Sequence, residues 1–438
     1  MQRTLISETI DKIDQTVKIS GWAKTRRDHG KIIFIDLRDR SGVLQCVVTP
    51  QTKDYEDFKK IRSEWAVSFN GTIKNRPEKL VNTDLATGKI EMEVKEYEIL
   101  SKAEEAPIDI SLEEMSLHIE TLLDHRNITI RNEKVGAIFR VYSEVLESYA
   151  GYMRSRGFLE IKTPKLLSAC TEGGAESFKV KYFEAEAYLA QSPQFYKQAA
   201  VGAFERVFEI GSVFRAEPHF TSRHINEFVG LDAEMGFIDG SDDVMDELEE
   251  TMKYVLQKVK ENCARELEKY GANVEIPEKI PRIKFSEALD ILKKEFKKEI
   301  GGNDIDPEGE RLICEWAKKE KRSDFLFLTN YPWTIRPMYI MPDFKNPRET
   351  FGFDLLYRGV EIASGGQRIH DHDQLIENMK KKKLNPDDFK HYLEIFRYGM
   401  PPHGGWGLGS ERIVQKILGL KSIKEAILFP RDVKRLTP

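Results

Sequence analysis

Residues 211–228 read GSVFRAEPHFTSRHINEF, with Arg215 and Glu217 two apart before a polar turn and Arg223 beside His224 after it. That density of charge fits either a solvated hairpin or a site for a strongly charged ligand. Before the turn, Val213, Arg215 and Glu217 share one parity, and Ile210, Ser212, Phe214 and Ala216 share the other. After it, Val229, Leu231, Ala233 and Met235 alternate with Phe228, Gly230, Asp232 and Glu234. A period of two predicts two antiparallel strands, each with one apolar face and one face carrying chemistry.

Four more segments carry reactive types. FDLLYRGVEIASGGQRIHDHD (353–373) supplies Asp354, Glu361, Ser364 and Arg368. Its carboxylates and hydroxyl are the hard oxygen donors that Mg²⁺ takes when a substrate's phosphates hold most of it. His370 and His372 invite a zinc or manganese reading, but two histidines without a third ligand cluster more often cap or solvate a loop. LAQSPQFYKQAA (189–200) reads as a strand turning into a helix, with Ser192, Gln194 and Lys197 near the turn. GGWGLGSERIVQKIL (404–418) is a glycine-dense strand entering a helix that Ser410 is placed to cap, with Arg412 in its first turn. Its GGxGxG spacing differs from the dinucleotide GxGxxG, so a structural glycine turn stays open beside a ligand cradle. TEGGAE (171–176) reads as a glycine-hinged acidic loop, either a lid or a plain connection.

These groups need a large scaffold. A chain of 438 residues implies two or three domains, and 40% hydrophobic with 32% charged residues describes a globular protein. No apolar run approaches a membrane span, and the start MQRTLISETI lacks the apolar stretch of a secretion signal. Cys46, Cys170, Cys263 and Cys314 are scattered, which argues for a reducing, cytoplasmic location and against a disulfide framework or structural zinc. The net charge of −5 hides a basic stretch at 24–40, six Lys/Arg against three Asp around Phe34, compatible with a local nucleic-acid site.

Five short strand patterns between 17 and 100 predict a small barrel of the OB type. The charged segment 104–134 reads as a hinge. From 135 a helical stripe (Ile138, Val141, Tyr142, Val145, Tyr149, Tyr152, Met153) ends at Gly157. Later strands are broken by helices near 243–268 and 373–395 without regular βαβ alternation. An α+β domain with a mainly antiparallel sheet flanked by helices is therefore expected over 135–438.

Taken together, GFLEIKTPKL, FRAEPHFTSRHINEF and GLGSER resemble, in order and spacing, motifs 1, 2 and 3 of class II aminoacyl-tRNA synthetases. QSPQFYKQ, LDAEM, YRGVEIASGGQR, RYGMPPHGG and LFPRDVKRLTP narrow the resemblance to the aspartyl branch of class IIb, compact archaeal/eukaryotic type, as does GW…RRDHG…FIDLRDRSGVLQ. It covers nearly the whole chain. One segment departs: HRNITIRNEKV (125–135) lacks the Leu-Asp-Leu-Arg-Arg-Pro pattern and looks closer to the asparaginyl relative.

The resemblance implies an ATP-dependent, Mg²⁺-assisted ligase that forms aspartyl-adenylate and charges tRNA(Asp), with tRNA(Asn) as a further candidate acceptor. It implies residues 1–103 as the anticodon-binding barrel and 135–438 as the catalytic domain. It gives the α-phosphate to Arg215 and the γ-phosphate of a bent ATP to Arg223, His224 and Arg412. Phe228 and Arg412 would sandwich the adenine, with Glu217 near it and Gly409 in the nucleotide cradle. Asp354, Glu361 and Ser364 would hold Mg²⁺. The substrate ammonium would go to Glu172, Ser192, Gln194 and Asp232, and its side-chain carboxylate to Lys197 and Arg368, with Ser364 and His403 nearby. Arg27, Phe34 and Gln45 match anticodon contacts, and Pro164 matches a homodimer interface. His29 resembles enzymes of relaxed tRNA range, whereas Lys79 resembles strict ones. The rival readings are an asparaginyl enzyme, which Lys197 and Asp232 oppose, and an AMP-forming asparagine synthetase, which would have no use for Phe34 and Gln45.

Overall fold

The computed structural model describes all residues except 113, 169–176, 219–220 and 302–303. The TEGGAE loop, Glu172 and Cys170 lie outside the described residues. The chain divides after Leu112, within the segment expected as a hinge, into units Met1–Leu112 and Glu113–Pro438. Part of that segment is helical, at Ile119–Asp124 and Arg126–Thr129.

In the first unit β1 (Thr16–His29), β2 (Ile32–Asp39), β3 (Gly42–Val48), β4 (Ala66–Asn75) and β5 (Ile90–Ser101) close into a barrel of order β1-β2-β3-β5-β4. Alternation decides which side chains fill it. Ile33, Ile35 and Leu37 are buried, while Phe34 and Asp36 between them face outward. Leu44, Cys46, Val67, Phe69 and Met92 complete the same core.

In the second unit the strands are β6 (Leu159–Glu160), β7 (Leu166–Leu167), β8 (Lys179–Tyr182), β9 (Ala185–Leu189), β10 (Arg206–Phe214) and β11 (Glu227–Gly236). They continue with β12 (Arg282–Lys284), β13 (Phe325–Thr329), β14 (Gly352–Tyr357), β15 (Val360–Gln367) and β16 (His403–Gly409). Eight form one sheet of order β12-β13-β14-β15-β16-β11-β10-β6, and β7-β9-β8 form a small separate one. The six central strands are antiparallel as expected, but both edges, β12 on β13 and β6 on β10, pair in parallel, so the sheet is mixed.

The helix Glu133–Ser155 starts where the Asn132 side chain accepts the Lys134 and Val135 amides, and its stripe (Ile138, Val141, Val145, Tyr149, Met153) is buried. That stripe packs with the helix Ser241–Asn262 and the apolar parity of β11, Leu231, Ala233 and Met235, in one core. The opposite sheet face is left for polar groups. β16 fits between β11 and β15 because four of its seven residues are glycine: a Cβ on Gly405 would lie 2.1 Å from the Ala233 carbonyl.

Candidate active site

The polar sheet face floors a cavity of about 320 Å³ walled by β11, β15, β16, the helix Gln194–Phe204, Arg215, Glu217 and residues 223–225. It brings together Ser192, Gln194, Lys197, Arg215, Glu217, Arg223, His224, Phe228, Asp232, Glu361, Ser364, Arg368, Gly409 and Arg412. Asp354 and His403 lie behind this lining.

The floor is a buried charge network. Lys197 donates to Asp232 Oδ1 at 3.0 Å and to the Trp406 carbonyl at 2.8 Å, and stands 3.5 Å from Glu234 Oε2. Arg368 donates Nε to Glu234 Oε1 at 2.8 Å and Nη2 to Gln194 Oε1 at 3.5 Å. Burial raises the Glu234 carboxyl, but Arg368 and Lys197 outweigh it and hold the group below its ordinary value. Two cations and two carboxylates thus cancel in a region closed to solvent, the condition under which buried charge is tolerated.

His403 acts one layer back. Its Nδ1 donates to the Pro401 carbonyl at 2.8 Å, so Nε2 accepts from Gln198 Nε2 at 2.8 Å. Gln198 Oε1 in turn accepts from Gln194 at 3.0 Å and from the Tyr392 hydroxyl at 2.9 Å. The chain His403–Gln198–Gln194 fixes the amide that meets Arg368. Burial pushes the His403 imidazole down to about 4, so it is neutral at pH 7.

The mouth is rich in guanidinium. Arg215 stands 5.4 Å from the Phe228 ring centre and 3.9 Å from Glu217. Arg223 is held by Glu310 at 2.9 Å and the Gly359 carbonyl at 2.7 Å. His224 lies 3.7 Å from Glu217. Arg412 donates to the Glu361 carbonyl at 2.6 Å, so in this structure Arg215, not Arg412, is the cation over Phe228. Burial, and then the charge of Glu361, push the Glu310 carboxyl up to about 7.

Ser410 is not the helix cap. It is the first residue of the helix Ser410–Leu418, and its hydroxyl donates to the Val229 carbonyl at 2.9 Å, tying that helix to β11. Glu411 completes the tie by accepting the Val229 amide at 2.9 Å and the Tyr142 hydroxyl at 3.1 Å.

Sequence reasoning missed Arg336. It bonds Asp354 Oδ2 at 2.7 Å and Ser364 Oγ at 3.0 Å, and so stands among the residues expected to hold Mg²⁺. It follows the single 3₁₀ turn Trp333–Ile335, between Pro332 and Pro337, which is too short for a periodicity to mark it. Glu234 was also passed over as a site residue, although its parity with Asp232 was a usable signal. Asp354 Oδ1 is buried without a hydrogen-bond partner, and burial and Asp354 push the Glu361 carboxyl up. Two adjacent hard carboxylate donors, one with an oxygen left unbonded, fit a divalent cation bound chiefly by a ligand's phosphates. Among the described residues no group of three or more His, Cys, Asp or Glu could hold a metal. His372 meets Asp373 at 2.9 Å, and Asp371, not a histidine, caps the helix His372–Lys381.

On the barrel, Arg27 donates to Asp36 at 2.9 Å and to Gln45 at 3.3 Å, and is the register partner of Phe34. His29 meets the Phe34 ring edge-on at 5.8 Å. Arg27, His29, Phe34, Asp36 and Gln45 share one outer face. Lys79 is exposed on the turn Glu78–Leu80, and Pro164 is exposed between β6 and β7.

A closed five-stranded barrel and a mixed, mainly antiparallel sheet with an arginine-lined cavity define the class. The family described as tRNA synthetases class II (D, K and N) matches residues 118–433, and an OB-fold nucleic acid binding domain matches 17–100. The chain belongs to the class II tRNA synthetases of this D, K and N group. It is 42% identical to the aspartate–tRNA(Asp/Asn) ligase of Deinococcus radiodurans, over 100% of this chain and 99% of that protein. It is 42% identical to the aspartate–tRNA(Asp) ligase of Thermococcus kodakarensis, over 99% and 98%. Among solved structures it is similar to asparaginyl-tRNA synthetase from Pyrococcus horikoshii with asparaginyl-adenylate: TM-score 0.91, 33% identity, all of both chains covered.

Proposed function

We propose that this chain uses ATP to activate L-aspartate as aspartyl-adenylate and transfers the aspartyl group to tRNA(Asp). The observation that carries the reading is the pairing of Lys197 and Arg368 at the floor of a cavity whose mouth holds Arg215, Arg223 and Arg412. Two buried cations that keep unspent donors suit a side-chain carboxylate, and three arginines suit a triphosphate.

In the proposed reaction an α-carboxylate oxygen bonds to the α-phosphorus while the bond to the bridging oxygen breaks and pyrophosphate leaves. Such a transfer needs positioning and charge cancellation more than covalent help. Arg215 neutralises the α-phosphate, Arg223, His224 and Arg412 take the distal phosphates, and Phe228 supports the adenine near Glu217 and Gly409. Asp232, Ser192 and Gln194 orient the ammonium end, and Lys197 and Arg368 grip the side-chain carboxylate. Glu361 and Asp354 would hold Mg²⁺, which supplies countercharge to the phosphates when bound.

The barrel face of Arg27, Phe34 and Gln45 is proposed to read the anticodon by stacking and edge hydrogen bonds. His29 and Lys79 pull the acceptor range in opposite directions, and relatives of both ranges are 41–43% identical to this chain. Exposed Leu159 and Leu166 near Pro164 suit a homodimer interface. No helix among the described residues is long and apolar enough to cross a membrane, and Cys46, Cys263 and Cys314 are free and buried, which suits the cytoplasm.

An asparaginyl reading draws on the asparaginyl-adenylate complex of similar fold. Pyrophosphate exchange measured with aspartate or asparagine, with and without tRNA, tests both. Exchange driven by aspartate supports the proposal, and exchange driven only by asparagine refutes it.

A further inference from the structure

The barrel unit carries a second basic surface that the base-reading face does not account for. Lys24, Arg26, Lys59, Lys60, Arg62 and Lys102 line an open cleft of about 890 Å³, with Asp109 as the one carboxylate in its wall. Among the described residues Asp28, Glu56 and Asp57 pair with Arg26, Lys59 and Lys60, and none pairs with Arg62 or Lys102. A local excess of positive charge on a chain of net charge −5 calls for an anionic partner.

The cleft is built, not scattered. Arg26 turns its guanidinium to the carbonyls of Lys59 and of Ile61, the latter at 3.0 Å, and so fixes the loop that bears Lys59, Lys60 and Arg62. Among the described residues neither Arg62 nor Lys102 has a carboxylate partner; Lys102 lies over the Trp65 ring at 5.5 Å. Among the described residues Lys60 pairs with the exposed Asp57, a surface pair worth little and easily exchanged for another anion.

What the cleft lacks defines its ligand. Trp65 is only 8% exposed, is covered by Lys102, and spends its indole N–H on the Ala103 carbonyl at 3.0 Å. It therefore offers no ring on which a base could stack. Charge without a stacking platform reads backbone and not sequence. The cleft also adjoins the base-reading face through β1. Arg27 goes to Asp36 and Gln45, while its neighbour Arg26 goes to the cleft loop.

We infer that this cleft binds the sugar-phosphate backbone of tRNA outside the bases read by Phe34 and Gln45, an inference that rests on the tRNA reading above. Arg62 and Lys102 are its phosphate contacts. The surface adds affinity that is independent of sequence and screened by salt.

The test is the salt dependence of binding to a tRNA(Asp) transcript, with the full chain, from about 50 to about 300 mM salt. Each phosphate contact contributes roughly 0.7–0.9 to the slope of log Kd on log salt. Arg62→Gln/Lys102→Gln should therefore flatten the slope by ~1.4–1.8. The charge-keeping Arg62→Lys/Lys102→Arg should retain it, which separates lost contacts from a damaged fold. Phe34→Ala should weaken binding and leave the slope unchanged. A wild-type slope in the Gln pair, with Phe34→Ala still weakened, overturns the cleft and leaves the tRNA reading intact. Failure of the wild type to bind tRNA at all overturns both.

Discussion

Arg368 meets Glu234 through two bonds, Nε to Oε1 at 2.8 Å and Nη2 to Oε2 at 3.3 Å, and neither side chain is more than 3% exposed. Lys197 leans on the same carboxylate. Glu234→Gln keeps the shape and removes the charge, leaving Asp232 alone against two cations. Breaking a buried pair this way typically costs ~3–5 kcal/mol. The urea midpoint at pH 7 should fall accordingly, and an unchanged midpoint would show that Asp232 alone can neutralise the floor.

Arg215→Ala tests the mouth. The guanidinium sits over Phe228 and is exposed enough to meet a ligand. Loss of one preorganised donor to developing charge typically costs ~3–4 kcal/mol, about 10²–10³ in rate. Aspartate-dependent pyrophosphate exchange should drop by at least that factor while thermal stability holds. Near-normal exchange would remove Arg215 from the phosphate site.

His403 gives a pH prediction with a definite sign. Its imidazole titrates near 4 when folded and near 6.5 when unfolded, so between these values the unfolded chain binds the extra proton. Its contribution is present above about pH 6.5 and is lost as pH falls towards 4, for a total of roughly 3 kcal/mol. Denaturant midpoints should decline over that window in the wild type. In His403→Gln, which keeps a side chain able to meet Gln198, the decline should be shallower. Equal declines would assign the acid sensitivity to other groups.

How much of this was legible in the sequence follows from what kind of signal each residue leaves. The alternation through Phe228, Gly230 and Asp232 put these residues on the face that lines the cavity, because strand geometry is local, whereas the strand expected to run through Arg215 and Glu217 ends at Phe214. The same alternation carried Glu234, whose importance shows only when Lys197 and Arg368 converge on it from distant segments. Arg336 left no trace, since a single 3₁₀ turn between prolines is too short for a period to read. Ser410 was misjudged because a serine at a helix start usually caps it, whereas here the nearer acceptor is the Val229 carbonyl on a neighbouring strand. The barrel was visible as five strand patterns, but the loop that Arg26 pins was not, because its bonds run to backbone carbonyls.

The last prediction concerns aspartate against asparagine, which differ by a carboxylate and an amide of nearly equal shape. A pocket cannot separate them by size, so charge must do it. Lys197 has three donors and spends two in hydrogen bonds, to Asp232 and the Trp406 carbonyl, with Glu234 farther off at 3.5 Å. Arg368 spends Nε and Nη2 on Glu234 and Gln194, while Nη1 makes no hydrogen bond among the described residues. What remains on both cations is donors only. A carboxylate satisfies them, whereas an amide offers one oxygen and turns its NH₂ towards a donor. The penalty for leaving buried donors of charged groups unmet is ~1–3 kcal/mol, a discrimination of roughly 10–10². The wild type should activate aspartate over asparagine by at least that ratio. Lys197→Leu should lose aspartate activation severely and narrow the ratio, while ATP affinity, set at the mouth by other residues, stays within a few fold. Comparable exchange rates for the two amino acids in the wild type would overturn the aspartyl reading and favour the asparaginyl one.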